Sequence, residues 1–329
     1  RTRLNNLGRM IRMQKDYIIV DAHCDTMSEL LDSGEPFLKS DRHLNLEMIR
    51  QYKGYIQFFA AWIDENSPNW LSRTLAIIDK CYQELEKNRQ NMQLVLNGND
   101  VHTVLKNGKT GMVLAIEDSR AICGSLANLR MLYRLGVRAM TLAWNGNNDI
   151  TDGIASGRGA GLTDFGKEVV REMNQLGMII DVSHITRHGF WDVLETTKSP
   201  VMASHSNAYT VCPHRRNLDD SQIEAMIKSK GFVGINIYPE FLNNTESAEV
   251  TDIIRHIDHF LSLGGENTIG LGTDFDGVPA LPIDIQNAGE LYRLFDELLR
   301  LGYSQTLVDK ISHQNMIAFL DNILKNENN

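Results

Sequence analysis

Two carboxylates and a histidine alternate at the end of an apolar run near the start of the sequence. Residues 18–26 read IIVDAHCDT, in which Asp21, His23 and Asp25 follow three apolar residues. In a strand, residues i and i+2 share one face, so these three side chains are predicted to point the same way. Imidazole and carboxylate groups on one face are typical of a metal site. A solvated turn after a buried strand gives a similar string, so the motif alone leaves both interpretations open.

Further histidines and carboxylates end other apolar runs. Glu117 ends GMVLAIE, His184 ends MIIDVSH, His205 ends PVMASH, and Asp274 follows TIGLGT. Each could instead serve the structure, His184 at the edge of the core and Glu117 or His205 as the cap of a following helix. Their regular coincidence with the ends of apolar runs favours one shared site.

The elements that must position these residues follow a helix–glycine–strand order. Four times a helical pattern ends near a glycine and an apolar run follows, as in FGKEVVREMNQLG before MIIDVSH. Gly136, Gly177 and Gly231 are predicted to adopt the left-handed conformation that ends a helix. An amphipathic helix is predicted over residues 70–85, with its apolar stripe formed by Leu71, Leu75, Ile78, Tyr82 and Leu85.

Eight strands are predicted, around residues 17–23, 54–63, 111–117, 137–144, 178–184, 200–205, 231–238 and 268–274. Apolar strands that alternate with helices indicate a buried parallel sheet. Eight of them favour an α/β fold of the (β/α)8 TIM-barrel type over an open doubly wound sheet, which would carry a glycine-rich turn after its first strand. Without a linker-like change in composition, residues 1–329 are predicted to form a single TIM-barrel domain. Residues 1–16 would be an N-terminal extension and residues 304–325 closing helices.

Composition excludes several classes of partner. The 329 residues carry a net charge of −9, which argues against nucleic-acid and anionic-membrane partners. The four cysteines lack paired spacing, and no run of eighteen apolar residues is present, so neither a zinc ribbon nor a transmembrane helix is expected. The first sixteen residues lack the apolar stretch of a secretory signal. A cytoplasmic location is predicted.

The residue types at the strand ends suit a hydrolytic metal centre. In a TIM barrel these ends form one rim, which would gather His23, Asp25, Glu117, His184 and His205. Three imidazoles and two carboxylates suit Zn²⁺, with Mn²⁺ or Fe²⁺ as alternatives. Five ligands, including a glutamate able to bridge, indicate two ions that share a hydroxide and polarise an amide carbonyl. Asp274 could move the proton from that water to the leaving amine, or could only orient a metal ligand.

Other residues near the predicted rim concern the substrate. One guanidinium of the pair Arg215-Arg216 could hold a substrate carboxylate, or the pair could form a surface salt bridge with Asp219-Asp220. Tyr238 ends another strand and is a candidate substrate contact. The stretch SGRGAG, residues 156–161, is predicted to be a flexible loop over the barrel mouth. The remaining histidines outside this region are predicted to lie at the surface, namely His43, His102, His188, His256, His259 and His313.

Taken in order, these motifs resemble the membrane (renal) dipeptidase family of zinc metallopeptidases. The resemblance is carried by DAHCD, LAIED, IIDVSH, SHSNAYTVCPHRRN and GTDFDG, between residues 18 and 278. It implies a dizinc dipeptidase with a TIM barrel, broad tolerance of L-L dipeptides and, in many members, of a D-residue at the C-terminal position. Members commonly form a homodimer.

The resemblance also implies roles for individual residues. His23 and Asp25 would bind one zinc, His184 and His205 the other, and Glu117 would bridge them. Arg216 would hold the terminal carboxylate of the dipeptide, and Asp274 would contact the substrate and the bridging water.

The sequence departs from the family pattern at one site position. Mammalian members carry a histidine that binds the substrate or the oxyanion where this chain has Trp144. The indole can donate one hydrogen bond but does not titrate near neutral pH. Asn145 or Asn147 could supply a further donor.

Two other functions remain open from the sequence. A different barrel amidohydrolase, such as a deaminase, a lactonase or a phosphotriesterase, would more often begin with HxH where this chain has His23 and Asp25. A barrel retained for binding or scaffolding would show the loss of a ligand, whereas all five candidate ligands are present.

Overall fold

Nine parallel strands form one sheet in the structure, a computed structural model that describes residues 16–324. Their bounds are β1 Ile18–Asp21, β2 Gly54–Trp62, β3 Met92–Leu94, β4 Thr110–Glu117, β5 Val137–Thr141, β6 Ile179–Asp181, β7 Met202–Ala203, β8 Phe232–Ile235 and β9 Ile269–Leu271. All but β3 match the eight predicted strands. The predicted extension over residues 1–16 lies, except for Asp16, outside the described residues.

Eight of the strands close into a barrel. The order runs from β2 through β1, β9, β8, β7, β6 and β5 to β4, and β4 pairs with β2 to complete the ring. The closing pair is long and in register from Tyr55 opposite Thr110 to Trp62 opposite Glu117. The prediction of a (β/α)8 TIM barrel is confirmed. The assignment of all 329 residues to one domain stays a prediction.

The ninth strand fills a gap in the barrel wall. β3 pairs with the first half of β4, whereas β5 pairs with its second half after a register shift between Leu114 and Ala115. The sequence analysis does not predict β3, because its three residues, Met92, Gln93 and Leu94, are too few to show a strand period.

Helices surround the barrel. They are α1 Thr26–Ser33, α2 Leu46–Ile49, α3 Trp70–Lys87, α4 Gly98–Lys106, α5 Leu126–Arg134, α6 Asp164–Leu176, α7 Arg187–Thr196, α8 Asp220–Lys228, α9 Pro239–Asn243, α10 Val250–Ser262, α11 Tyr292–Arg300, α12 Gln305–Asp309 and α13 Asn315–Ile323. Short 3₁₀ turns cover Ser119–Ile122 and Ala288–Glu290, and a π-helical turn covers Lys310–Gln314. None of the helices within residues 16–324 is long and apolar enough to cross a bilayer.

Local signals explain where several helices begin and end. The Thr163 side chain accepts a hydrogen bond from the Gly166 backbone and caps α6, which ends at Gly177 with φ of 72°. Asp219 and Gln222 form a reciprocal capping box at the start of α8.

The prediction for Gly231 is wrong. Lys230, not Gly231, adopts the left-handed conformation after α8, with φ of 57°. Gly231 is needed for another reason, since a Cβ atom there would lie 2.7 Å from the Val201 carbonyl oxygen. The glycine therefore permits a close approach of two chain segments.

Helix α3 packs Leu71, Ile78 and Leu85 of the predicted stripe against the core, but not Leu75 and Tyr82. Thr74, Ile77, Ile78 and Cys81 are buried, whereas Leu75 and Tyr82 are each 39% exposed. Glu84 is also fully buried because its carboxylate accepts from Lys80, Lys87 and the Phe37 backbone. Ion pairing, which hydrophobic spacing does not reveal, permits a carboxylate on the buried face of this helix.

Most strands end earlier than predicted, because the backbone leaves the sheet where the polar residues begin. Asp118, His184, Asp274 and Asp276 all have positive φ, between 62° and 96°. Few residues other than glycine adopt this region. The turn out of the strand direction aims the side chains at the carboxyl-terminal rim.

Candidate metal centre and substrate pocket

The rim gathers the five predicted ligands around one glutamate. Glu117, at the end of β4, points its Oε2 atom at His23 Nε2, 3.2 Å away. Its Oε1 atom lies 3.0 Å from His184 Nε2 and 3.6 Å from His205 Nε2. Asp25 Oδ2 lies 3.5 Å from His23 Nε2. All five side chains are nearly or fully buried.

Two groups of three donors therefore share Glu117. One group is His23, Asp25 and Glu117, and the other is Glu117, His184 and His205, with the donor atoms of each group within 4.8 Å of one another. A carboxylate with one oxygen toward each group has the arrangement that two neighbouring metal ions need.

Asp21, the remaining member of the opening motif, is not in either group. Its carboxylate accepts from the Thr273 backbone at 2.9 Å and from Thr273 Oγ1 at 2.6 Å. Burial raises the pKa of Asp21 to about 6. Asp21 thus joins β1 to the segment after β9. The prediction that its side chain points to the same side as those of His23 and Asp25 is wrong.

The first group strongly favours positive charge. Burial acts to lower the pKa of His23, but the carboxylates of Glu117 and Asp25 outweigh it and raise that pKa well above its usual value. Burial and the neighbouring Glu117 carboxylate raise the pKa of Asp25 to about 8. Carboxylates crowded at a buried site thus attract a cation.

The second group keeps its histidines neutral. Burial, helped by the charge of Arg216, lowers the pKa of His184 to about 4. Burial and the charge of His23 lower the pKa of His205 well below its usual value. Neutral imidazole is the form that binds metal ions.

Two polar atoms of this donor set lack hydrogen-bond partners in the described part of the chain, so the set fits metal ions. His23 Nε2 and Asp25 Oδ1 are buried without a hydrogen-bond partner among the described residues. The Nε2 atoms of His184 and His205 lie 2.9 Å apart, while the Nδ1 atom of His184 faces Asn145 Oδ1 at 3.2 Å. If both rings are protonated on Nδ1, two lone pairs face each other, and a shared cation removes that repulsion.

Asp274 lies beside this cluster. Its Oδ2 atom accepts from Asn236 Nδ2 at 2.9 Å, and its Oδ1 atom lies 3.8 Å from His23 Nε2. Burial raises the pKa of Asp274, and the negative charge of Glu117 adds to that shift. A carboxyl group so placed can hold a proton close to the metal ligands.

Arg216 is buried with its charge directed into the interior. The side chain is 6% exposed, its Nη2 atom donates to the His205 carbonyl at 3.2 Å, and its Nε atom has no partner among residues 16–324. Burial lowers the pKa of Arg216 to about 10, so the guanidinium stays charged at neutral pH. The alternative salt bridge is not formed in this part of the chain, since Asp219 pairs with Arg187 and Asp220 with His259.

A cavity of about 370 Å³ connects these groups. The residues that line it include Asp25, Glu117, Trp144, His184, Arg216, Tyr238 and Asp274. The Trp144 ring packs edge-on against Trp62, with 5.3 Å between centroids, and lies 6.2 Å from the His184 ring. The cavity thus joins metal donors, a buried cation and an aromatic wall.

The glycine-rich stretch is an irregular segment, as predicted for a loop, and its flexibility stays a prediction. Asp152, which is 1% exposed, accepts from Ser156 Oγ, from the Ala160 backbone and from the Arg158 side chain. The described residues that line the 370 Å³ cavity include none from 156–161. A buried carboxylate holds this loop beside the mouth of the barrel.

Two features escape the sequence analysis. His256, predicted at the surface, is fully buried, with Nδ1 accepting from the Ala208 backbone at 3.1 Å and Nε2 2.9 Å from the Leu242 carbonyl. Ser204 Oγ contacts His205 Nδ1 at 2.7 Å. The string SHS contains that signal, but serine next to histidine is too common for sequence alone to distinguish it.

Comparison with known proteins assigns the chain to a family. The sequence model described as membrane dipeptidase (peptidase family M19) matches residues 7–329, which is nearly the whole chain. The chain belongs to the membrane dipeptidase family. The resemblance inferred from the rim motifs is thereby confirmed, and with it the class of metallopeptidases.

Individual members of the membrane dipeptidase family agree with this assignment. An uncharacterized dipeptidase from Schizosaccharomyces pombe is 34% identical over an alignment of 266 residues, and the match covers 75% of this chain and 64% of that protein. The match thus spans less than two thirds of the length of that relative. A solved dipeptidase of family M19 is 26% identical with a TM-score of 0.87, and the match covers 94% of this chain and 99% of the solved one.

A further solved structure shares the fold. It is a metallopeptidase from Rhodobacter sphaeroides with a bound phosphinate mimic of the dipeptide L-Ala-D-Ala. It is 24% identical with a TM-score of 0.87, and the match covers 94% of this chain and all of the solved one.

Proposed function

We propose that this protein is a metal-dependent dipeptidase that binds two zinc ions per chain. His23 and Asp25 would hold one ion, His184 and His205 the other, and Glu117 would bridge them. The observation that carries this proposal is the position of Glu117, whose two oxygens face two separate groups of donors. Family membership supports the peptidase class.

The bound ions would supply a hydroxide at neutral pH and polarise the scissile carbonyl. The side chains of the protein then have three tasks. Arg216 would bind the terminal carboxylate of the dipeptide, because a buried guanidinium with an unpartnered Nε atom gains most from a bidentate anion. Asp274 would take a proton from the attacking water and pass it to the leaving amine. The side chains that line the cavity would surround the substrate.

Trp144 and Tyr238 would contact the substrate side chains. The indole of Trp144 offers an apolar face and one donor, and it cannot change charge near neutral pH. The oxyanion would therefore depend on the metal centre rather than on a protonated side chain at this position. Asn145, which also lines the cavity, is available as an additional polar contact.

We include both L-L and L-D dipeptides among the proposed substrates. The family resemblance suggests this tolerance, and the Rhodobacter protein of the same fold binds a mimic of an L-D dipeptide. A homodimer and a cytoplasmic location stay predictions.

A hydrolysis screen tests the proposal. Zinc-loaded protein would be assayed on about thirty L-L and L-D dipeptides and on the C-terminal amides of those that react. We expect turnover of free dipeptides, strong loss with the amides, and no turnover by the His184→Ala variant. Turnover of lactones, phosphotriesters or deamination substrates instead, with two ions bound and no dipeptide cleaved, would contradict the peptidase assignment.

A further inference from the structure

The carboxylate of Asp181 lies behind the candidate ligand His205 and reaches it through one hydroxyl group. Asp181 ends β6, and Ser204 and His205 follow β7 directly. Ser204 Oγ lies 2.5 Å from Asp181 Oδ2 and 2.7 Å from His205 Nδ1. All three residues are at most 2% exposed. Bulk water therefore does not compete for these hydrogen bonds.

The donors around Asp181 determine the direction of this chain of hydrogen bonds. Its carboxylate accepts from the Ser183 and Ser204 backbones and from the Thr141 and Ser204 hydroxyls. Two backbone N–H groups and two hydroxyls are directed at its two oxygens, so the proton of the Ser204 hydroxyl points at Asp181. Ser204 Oγ is then an acceptor toward His205, and the ring proton of His205 must be on Nδ1.

We infer that Ser204 and Asp181 are positioning residues that hold His205 in the tautomer able to bind metal. With the proton on Nδ1, the lone pair of His205 is on Nε2, the atom that faces Glu117 and His184. The backbone of His205 also donates to Ser183 Oγ at 3.1 Å, which fixes the orientation of the residue. This inference rests on the proposed function, since it concerns one of the two proposed metal sites.

The arrangement is specific to one side of the metal centre. A hydrogen bond from the distal ring nitrogen to a carboxylate-linked acceptor raises the basicity of a metal-binding histidine, and its loss typically weakens metal binding 10–100-fold. His184 has a weaker equivalent, the 3.2 Å contact to Asn145 at the cavity wall. Asp21, the corresponding aspartate near His23, accepts from the His23 backbone, at 3.4 Å, and otherwise from Thr273 rather than from the His23 ring. Loss of the Ser204 hydroxyl should therefore weaken binding of the ion held by His184 and His205.

The test compares Ser204→Ala with a matched variant, Thr141→Val. Both remove one hydroxyl donor from Asp181 Oδ2, but only Ser204 touches His205. Zinc affinity would be measured by competition with a chromophoric chelator, on the full chain. We expect Ser204→Ala to weaken one of the two sites about 10–100-fold and to leave the other near wild type. Thr141→Val should change the zinc affinity of neither site by more than about threefold.

Two results would overturn the inference. The first is zinc binding by Ser204→Ala that equals wild type at both sites. The second is an equal loss in Thr141→Val, which would assign the effect to a disturbed Asp181. Wild-type protein that binds two zinc ions but cleaves no dipeptide would contradict the proposed function instead, and the comparison of the variants would still decide this inference.

A measurement on wild-type protein covers the case in which Ser204→Ala does not fold. Long-range ¹H–¹⁵N spectra of histidine-labelled, zinc-loaded protein report which ring nitrogen carries the proton. The His205 signals would be assigned by their absence in His205→Gln. A protonated Nδ1 is expected, and a protonated Nε2 would contradict the inference.

Discussion

At the scale of single residues, the proposal gives Asp274 a proton to move, although its carboxylate also lies with His23 and His205 in a group able to hold a metal ion. Asp274 lies within 3.8 Å of His23 but also accepts from Asn236, so its amide analogue keeps most contacts. We expect Asp274→Asn to reduce kcat by about 10²–10⁴-fold with two zinc ions still bound, because only the proton acceptor is lost. Steady-state kinetics and metal analysis would check this. The neighbouring Asp276→Asn serves as control, and loss of zinc in Asp274→Asn would identify Asp274 as a ligand.

Arg216 gives a second prediction at this scale. Lysine keeps the positive charge but lacks the planar pair of donors, so Arg216→Lys should raise KM for dipeptides about 10–100-fold with a smaller change in kcat. The matched variant is Arg215→Lys, since Arg215 is exposed and lines the same cavity. Kinetics on one dipeptide and on its amide would compare the two. Equal effects of both substitutions would contradict a specific carboxylate contact by Arg216.

The sequence predicts which residues gather at the rim better than it predicts their surroundings. His23, Glu117 and His184 could be found because each polar residue follows an apolar strand, and parallel strands bring such positions together. The burial of Arg216 and the link from His205 through Ser204 to Asp181 could not, since both depend on how segments distant in the sequence pack. Residue type and spacing identify candidate donor residues. The tautomer of a histidine, and which buried polar atoms lack a hydrogen-bond partner, can be determined only from the folded structure.

At the scale of elements, His256 connects α10 to two other segments and makes their association depend on pH. Burial lowers the pKa of His256 to about 4, against 6.5 in the unfolded chain. Its contribution to stability is therefore present above pH 6.5 and is lost as the pH falls from about 6.5 toward 4. Between pH 7.5 and pH 5 the loss amounts to about 2 kcal/mol.

Replacement of His256 tests this linkage. We expect the free energy of unfolding of His256→Gln to fall about 2 kcal/mol less than that of wild type between pH 7.5 and pH 5. Urea unfolding at both pH values would measure the difference. The exposed His188→Gln is the control and should follow the wild type. Identical slopes for all three proteins would exclude His256 as the titrating group.

Element boundaries and faces were predicted unequally. The eight barrel strands could be predicted because each is a buried apolar run, whereas β3 has only three residues. Apolar spacing predicts that Leu75 and Tyr82 are buried, but both are partly exposed. Glu84 is buried instead, because its carboxylate pairs with Lys80 and Lys87. His256 likewise forms hydrogen bonds with the Ala208 and Leu242 backbones, and no local sequence pattern predicts these contacts.

At the scale of the whole molecule, two glycines permit a close approach of the chain segments at the ends of β7, β8 and β9. Added Cβ atoms at Gly272 and Gly234 would lie 1.8 Å and 2.0 Å from the Ser204 carbonyl oxygen. Because the clash is with backbone, we expect Gly272→Ala to destabilise the protein by about 3 kcal/mol or more. Thermal unfolding would measure this beside Gly157→Ala, whose added atom meets nothing within 4 Å. Similar melting temperatures for both variants would contradict the packing argument.

The positive φ angles along the chain bear on attempts to make this protein more heat-resistant. His184 and Asp274 adopt the left-handed region at the rim, and Lys230 adopts it far from any proposed chemistry, with φ of 57°. Such a residue costs about 1 kcal/mol relative to glycine. Lys230→Gly should therefore raise the free energy of unfolding by about 0.5–1 kcal/mol at unchanged activity, which urea unfolding and a dipeptide assay would show. The same exchange at His184 would remove a proposed ligand, so conformational strain in this barrel can be engineered away only outside the rim.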